Sequence, residues 1–595
     1  MANYNLVQCA ICNTEIGLDQ KALRHENKWY HLSCKPALSK PILATGSTSS
    51  EKTGIYRTTI VSEKIYGGPE NKNHAVSQTT PPVMLLTTNQ SEQIAKPDST
   101  TELQKTPKIV STKKTAAVKT DPVLVVLALA IFSLLTYAAY SIFSIYSIAA
   151  IVVAAAITLY QILSRTDPQK QYQYKTKSAS FFSIAVLVMP FAFGTVMAFD
   201  GYVSYTSVTK AIFVWSLTLS FWQTMLFVPL AIRSVTRERR LLPPTTYPRI
   251  SVIVPAYNEE NVIRTTIESL LSTDYPDKEI IVVDDGSKDG TLAIAMQYKT
   301  RVKVIHKENG GKASALNQGL LYATGDIVTI VDADTIIGNS SLKHIAASMA
   351  QENVVAVAGN VKIRNKMNWL TWCQALEYLS GIQIMRRGLD YFGAITIVPG
   401  ALGAFRKKKL EEAGTYHKET LVEDFDATMK VLRSGMIVNG SNAATAYTQA
   451  PQALGDFYKQ RKRWYRGNLQ VLRRHSDILF NPRFGYLHKL SYPLMALHML
   501  VIPVASLMLW IFAAYQIIVG NYFFVAYTLG MFILMQYLLS AMAVRMDNDD
   551  KKMILYSVFF VIGYKQIIDF LQIKAVIEEL LRQKAKWTSA KRVKQ

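Results

Sequence analysis

The chain has 595 residues, room for two to four domains, with 49 % hydrophobic residues and a mean hydropathy of +0.11. Those values are high for a soluble protein and point to membrane spans, whereas the net charge of +23 suits nucleic acid, anionic lipid or a phosphate-bearing substrate equally. There are four cysteines, and the clustering of Cys9, Cys12 and Cys34 near the start argues against a disulfide framework.

Residues 1–40 form a small unit without the continuous apolar core of a secretory signal, so the N-terminus is expected to stay on the side where it is made. Cys9-x2-Cys12, 18 further residues and His31-x2-Cys34 make a CCHC set, with His25 as a spare ligand. Thiolates and imidazole suit tetrahedral zinc in a reducing cytoplasm. So short a unit has little core, and the metal would supply much of its folding energy. A protein partner is one role open to it. Residues 41–120, rich in Ser, Thr, Lys, Gln and Pro, read as a disordered linker.

Residues 121–240 hold four expected transmembrane helices. Val123–Leu163 carries no charge and fits two helices with a turn near Ser144–Ser147; Ala179–Phe199 and Ala211–Ile232 are two more uncharged runs. The Lys- and Arg-bearing loops alternate with uncharged turns, which puts both the N-terminal unit and everything after Arg240 on the cytoplasmic side of a cell membrane.

In residues 241–480 the apolar runs shorten. "RISVIVPAYNEENVIRTTIESLL" reads strand, turn, helix; "KEIIVVDDGSKDGT" and "DIVTIVDADT" each read strand, then acidic loop. Strands alternating with helices imply an α/β domain with a mostly parallel sheet, whose ligands gather at the carboxyl ends of the strands. Asp284-Asp285 and Asp332-Ala333-Asp334 fall at such ends. Carboxylates packed there repel, and a divalent cation is the natural way to keep them ionised. Taken singly, each could be a turn or a helix cap. In residues 481–595, Leu490–Val544 has room for two spans around "VGNY", and Met553–Ile573, which contains Lys565 and Asp569, reads as a re-entrant or interface-lying helix ahead of a basic cytoplasmic tail.

"IVPAYNEE", "VVDDGSKDGT", "NGGKASALNQGL", "DADT", "LVEDFD" and "QRKRW" occur in order, and together they resemble the membrane-integrated, processive family 2 glycosyltransferases, such as the cellulose, hyaluronan, chitin and poly-N-acetylglucosamine synthases. "EYLSGIQIMRRG" and "VPGALGAFR" look most like the poly-N-acetylglucosamine and hyaluronan branch. The resemblance covers roughly residues 230–595 and implies a GT-A-type α/β domain inserted between transmembrane α-helices.

It also implies roles. Pro255, Ala256, Tyr257 and Glu259 would hold the uridine, Asp284 and Asp285 would meet the nucleotide, and Lys312 would lie near the diphosphate. Asp332 and Asp334 would grip Mg²⁺ or Mn²⁺. Asp424 would be the general base with Glu423 beside it, although Val422 stands where the family commonly has threonine. Gln460, Arg461, Arg463 and Trp464 match the Q-x-x-R-W motif, with Arg463 facing the diphosphate and Trp464 the acceptor sugar. Lys459, Lys462 and Arg466 also suit contact with anionic lipid. The expected activity is inverting transfer from a UDP-sugar, first of all UDP-N-acetylglucosamine, to a growing polysaccharide that leaves through the chain's own helices. A non-processive transferase acting on a lipid carrier is the alternative, and no nucleic-acid partner is expected.

Overall fold

The computed structural model describes residues 22–25, 28–31, 120–142, 224, 227–238 and 246–583. The chain divides into two units, Met1–Lys114 and Thr115–Gln595. In the first, β1 (Ala22–His25) and β2 (Lys28–His31) pair antiparallel, with Ala22 opposite His31. Cys9, Cys12 and Cys34 lie outside the described residues, as does the expected linker. Among the described residues no group of three or more His, Cys, Asp or Glu could hold a metal ion.

The second unit is built on an eight-stranded mixed sheet. Its strands are β3 (Ile250–Ala256), β4 (Lys278–Asp284), β5 (Lys303–His306), β6 (Ile327–Ile330), β7 (Ile336–Ile337), β8 (Val354–Ile363), β9 (Gly403–Arg406) and β10 (Ile437–Thr448), in the order β5-β4-β3-β6-β9-β8-β10-β7. β5, β4, β3 and β6 run parallel, β9 is antiparallel to both its neighbours, and β10 is parallel to β8. All seven residues of β3 are buried, as a near-continuous apolar strand covered on both faces should be. The period of two divides the core. Ile253, Ile281 and Val283 share one cluster with Ala315 and Leu316 of helix Lys312–Tyr322. Val252, Val254, Ile280 and Val282 share the other with Ile263 and Ile267 of helix Ile263–Leu271.

Three helices near the C-terminus are long and apolar enough to cross a membrane: Leu487–Ile518, Tyr522–Asp547 and Lys551–Leu580. The first two meet at the "VGNY" turn, where the sequence places it. The third contains the expected re-entrant or interfacial segment, and it is interrupted: Ile562 and Gly563 have non-helical backbone angles. Its last part, Lys565–Leu580, packs along helix Leu454–Arg474. Helix Pro122–Ile142, where the first expected N-terminal span begins, packs on Tyr522–Asp547, and Asp121 pairs with Arg545 at 3.0 Å. The second and third N-terminal spans fall outside the described residues.

Ion pairs fasten these helices to the sheet. Asp390 accepts from Ser234 (2.8 Å) and Arg237 (2.5 Å) of helical residues 227–238, and from the Gly440 N–H (2.8 Å) of β10. At the end of Tyr522–Asp547, Asp547 pairs with Arg387, and Asp549 pairs with Lys362 (3.1 Å) and Lys366 (3.0 Å) on and just beyond β8. Removing one partner of the buried Arg387–Asp547 pair would leave an uncompensated charge, so that pair ties the end of helix Tyr522–Asp547 to helix Ile384–Tyr391.

Candidate active site

The register aligns the carboxyl ends of neighbouring parallel strands. Ala256 of β3 lies opposite Asp284 of β4, and Asp284 lies opposite His306 of β5. β6 flanks β3 on its other side and leads into Asp332 and Asp334. Pro255 and Ala256 are buried at the end of β3, with Tyr257 and Glu259 half-buried in the turn that follows.

The first acidic pair is met mainly by its own chain, although Asp284 Oδ1 is buried with no hydrogen-bond partner among the described residues. Asp284, fully buried, pairs with His306 Nδ1 at 2.7 Å and accepts from the Ser287 N–H at 3.2 Å. Asp285 accepts from Lys307 Nζ (2.6 Å) and from the N–H groups of Gly310 (3.0 Å) and Gly311 (2.8 Å). Gly311 has φ +84°, a conformation that costs glycine little. It turns the loop into helix Lys312–Tyr322, so Asp285 organises the loop that presents Lys312.

The second acidic group gathers around that lysine. Lys312 Nζ lies 2.6 Å from Asp332 Oδ1 and 3.0 Å from Glu423 Oε1. Burial alone would lower its pKa, but Asp332, Glu423 and Asp424 hold it well above the usual lysine range. Glu423 and Asp424 open helix Glu423–Arg433, where the helix dipole favours acids. Burial, and then the neighbouring Glu423 carboxylate, pushes Asp424 up to about 6; Lys312 and the Phe425 N–H, which donates to Oδ1 at 2.8 Å, pull the other way. The Gly400 N–H donates to Asp424 Oδ2 at 3.4 Å. A Cβ on Gly400 would lie 2.7 Å from Lys312 Nζ and 3.3 Å from Asp332 Oδ1, so a side chain there would press on the end of the lysine and on the carboxylate it meets. Asp334, 3 % exposed, accepts from the Thr448 hydroxyl at 3.3 Å and the Thr335 hydroxyl at 3.1 Å.

Helix Leu454–Arg474 brings the basic, aromatic motif to the same place. Gln460, Arg461, Arg463 and Trp464 line a cavity of about 790 Å³ whose wall also holds Lys312, Asp332, Asp334, Glu423 and Asp424. Arg461 differs from its neighbours: it is 1 % exposed, pairs with Glu377 at 2.5 Å and stacks over the Trp464 ring at 4.4 Å. Lys462 and Arg466, which the sequence offers to lipid, reach Glu578 of the third long helix at 2.8 and 3.5 Å, and Lys459 pairs with Asp456 at 3.2 Å. The cavity continues between the three long helices, where His498, Gln536 and Gln572 interrupt an apolar lining. Pro255, Ala256, Tyr257, Glu259, Asp284 and Asp285 are not part of its wall.

Asp332 and Asp334 offer hard carboxylate oxygens beside a lysine. That donor set fits Mg²⁺ or Mn²⁺, which typically take one or two carboxylates and fill their remaining positions with water and substrate phosphate. Sequence reasoning passed over Glu377 and Gly400, although both lie inside stretches that carry the family resemblance, and over Tyr564. Their roles depend on contacts between segments far apart in the chain.

Residues 251–414, which hold most of these elements, match the model of glycosyl transferase family 2. Among curated proteins, the chain is 34 % identical over 229 residues to the poly-beta-1,6-N-acetyl-D-glucosamine synthase of Staphylococcus epidermidis, covering 38 % of this chain and 56 % of that protein. It is 33 % identical to the enzyme of the same name from Staphylococcus aureus, with the same coverage. The chain thus spans a little over half the length of the curated relatives it matches. Among solved structures, a mannosyltransferase from Pyrobaculum calidifontis in complex with GDP-Man and Mn²⁺ aligns with 63 % of this chain and 100 % of its own, at 21 % identity and a TM-score of 0.45.

Proposed function

We propose that this protein is a processive, inverting β-glycosyltransferase of the cell membrane. It takes a UDP-sugar, UDP-N-acetylglucosamine first, from the cytoplasm, extends a polysaccharide, and passes the product out between its own helices. The observation that carries this reading is the single cavity. Its lining holds Lys312, Asp332 and Asp424 together with Arg463 and Trp464, and continues among helices long enough to cross a membrane. The names of the staphylococcal relatives support N-acetylglucosamine as the sugar. A transferase acting on a lipid carrier would have less use for a cavity that continues between apolar helices.

In this reading Asp332 and Asp334 hold Mg²⁺ or Mn²⁺, which when bound offsets charge on the diphosphate. Lys312 releases Asp332 and Glu423 to meet phosphate oxygens, and Arg463 offers its planar donors from the same lining. Trp464 presents a flat apolar face to the terminal sugar of the acceptor. The acceptor hydroxyl is a poor nucleophile, and Asp424 takes its proton as the new bond to C1 forms; the bond from C1 to the UDP oxygen breaks on the other face, inverting the anomeric centre. A carboxylate at about 6 is still ionised at neutral pH and is a stronger base than an ordinary aspartate. Pro255, Ala256, Tyr257 and Glu259 form the nucleotide side of the crevice, and Asp284 and Asp285 shape the loops that border it. Zinc on Cys9, Cys12, His31 and Cys34, and a protein partner for residues 1–40, belong to the same proposal.

The test is a membrane-fraction assay with radiolabelled UDP-N-acetylglucosamine, UDP-glucose and UDP-glucuronate, with Mg²⁺ or Mn²⁺. High-mass polymer from wild type and none from Asp424→Asn is the expected result. Label confined to solvent-soluble lipid would favour the non-processive alternative.

A further inference from the structure

One half-buried carboxylate joins three parts of the chain that the transfer chemistry does not itself require. Glu377 Oε2 accepts from Arg461 Nη2 at 2.5 Å and from the Tyr564 hydroxyl at 2.6 Å. The Arg461 guanidinium lies over the Trp464 indole at 4.4 Å and over Phe457 at 5.0 Å. Tyr378, the residue after Glu377, brings its ring to 6.5 Å from the same indole. The indole is therefore held both through Arg461 and by the neighbour of the carboxylate that anchors Arg461.

The backbone is irregular on both sides of this contact. Glu377 begins a π-helical stretch, Glu377–Gln383, inserted between helices Trp369–Leu376 and Ile384–Tyr391. Tyr564 directly follows the break at Ile562 and Gly563 in the third long helix. Such turns interrupt the ordinary helical ladder and recur at functional sites. A buried ion pair is also a poor way simply to hold helices together, because packed apolar residues serve as well without the desolvation cost. What this pair supplies, and apolar packing would not, is a fixed orientation of a planar cation on an indole face.

We propose that Glu377, Arg461 and Tyr564 are positioning residues for Trp464: they couple the break in the third long helix to the platform for the acceptor, and so set acceptor register and product length without binding the donor. The proposal rests on the reading of Trp464 as the acceptor platform. The hydrogen bonds of Glu377 join it to Arg461 and Tyr564 rather than to Lys312 or Asp424, so the donor side should not sense their loss directly.

Two conservative variants test it in the full-length, detergent-solubilised protein. Tyr564→Phe removes one hydroxyl and keeps the ring contacts to Phe457 (5.6 Å) and Phe560 (5.4 Å). Arg461→Lys keeps the charge and loses the planar cap. The probes are UDP-N-acetylglucosamine at varied concentration and a short β-linked N-acetylglucosamine oligosaccharide as acceptor. Each variant should raise the acceptor KM about tenfold, as loss of a charged hydrogen bond would, while the donor KM stays within about twofold. Polymer made without added acceptor should shorten in both. Donor and acceptor KM rising together, or acceptor KM and product length both unchanged in Tyr564→Phe, would overturn the triad alone. Acceptor KM unmoved by Trp464→Ala would overturn the platform reading as well.

Discussion

Two acidic pairs, Asp284-Asp285 and Glu423-Asp424, look alike in the sequence and are treated in opposite ways by the fold. The first is met by a histidine, a lysine and three backbone N–H groups. The second, with Asp332, crowds three carboxylates around one lysine, and Asp424 answers by holding its proton up to about pH 6. A carboxylate whose partners all come from its own chain is doing architectural work, here shaping the loop that aims Lys312. A carboxylate buried among other carboxylates, as Asp424 is beside Glu423 and Asp332, is poised for a ligand, a cation or a proton.

The sharpest way to break this contrast is to neutralise one member of each pair. Asp424→Asn should lower the rate of sugar transfer by about 10²–10⁴, the usual contribution of a general base, measured as UDP release under saturating donor. The same change should not harm the fold. The folded pKa of about 6 lies above the ordinary 3.8, so this group's contribution to stability is complete below about pH 4 and lost as pH rises through about 6. At neutral pH its charge is a burden, and Asp424→Asn should raise thermal stability by roughly 1–3 kcal/mol. Asp285→Ala should do the reverse. It strands Lys307 and two backbone N–H groups, which costs about 3–5 kcal/mol in a melting experiment. An Asp285→Ala protein that melts like wild type and fails only to bind the UDP-sugar would place Asp285 in the donor site and dissolve the distinction.

A pH profile sharpens the same comparison with no mutation. If Asp424 is the base, transfer should fall by roughly tenfold per pH unit below about 6. Glutamate in its place, Asp424→Glu, should move that limb; a limb that stays put belongs to another group. Gly400→Ala comes next in size. Its methyl would press on Lys312 and Asp332 at 2.7 and 3.3 Å, and a roughly tenfold to hundredfold loss of activity is expected, as for small misplacements in other sites. Activity near wild type would mean that Lys312 can leave Asp332 freely even without substrate.

Much of the fold was legible in the sequence, and the limits of that reading have physical causes. β3, β4 and β6 could be read because each is a short apolar run stopped by polar turn residues, and the acidic motifs sit at their ends. The two long apolar helices around "VGNY" could be read because a long uncharged apolar run is visible in composition alone. What could not be read is which acid is satisfied. Asp285 depends on Lys307 and the Gly310-Gly311 loop, which reach it through the register of β5 on β4. Glu377 sits in "ALEYLSG", which looks like any amphipathic helix, and only its meeting with Arg461 and Tyr564 gives it a part. The same holds for Lys462 and Arg466. Their position before an apolar run suggests lipid, yet Glu578 takes both.

The smallest effect tests the one departure from the family pattern. Val422 is the N-cap of helix Glu423–Arg433, with φ −137° and no side-chain cap. Threonine would offer a hydroxyl to a free N–H of the first turn, typically worth about 1 kcal/mol. The valine is explained by its other neighbour. A Cβ on Gly467 would fall 2.8 and 2.9 Å from the two Val422 methyls, so helix Leu454–Arg474 closes onto the segment leading into Glu423 and Asp424 at this point, with apolar methyls filling the contact. Val422→Thr gains a cap and gives up one methyl of that contact. The two should nearly cancel, leaving stability within about 1 kcal/mol and transfer within about threefold of wild type. Gly467→Ala in the Val422 background should cost more, through overpacking of about 1–3 kcal/mol, and Val422→Ala should recover part of that loss in the double variant. If the double variant recovers nothing, the two helices meet through some other contact, and Val422 has no packing reason to replace threonine.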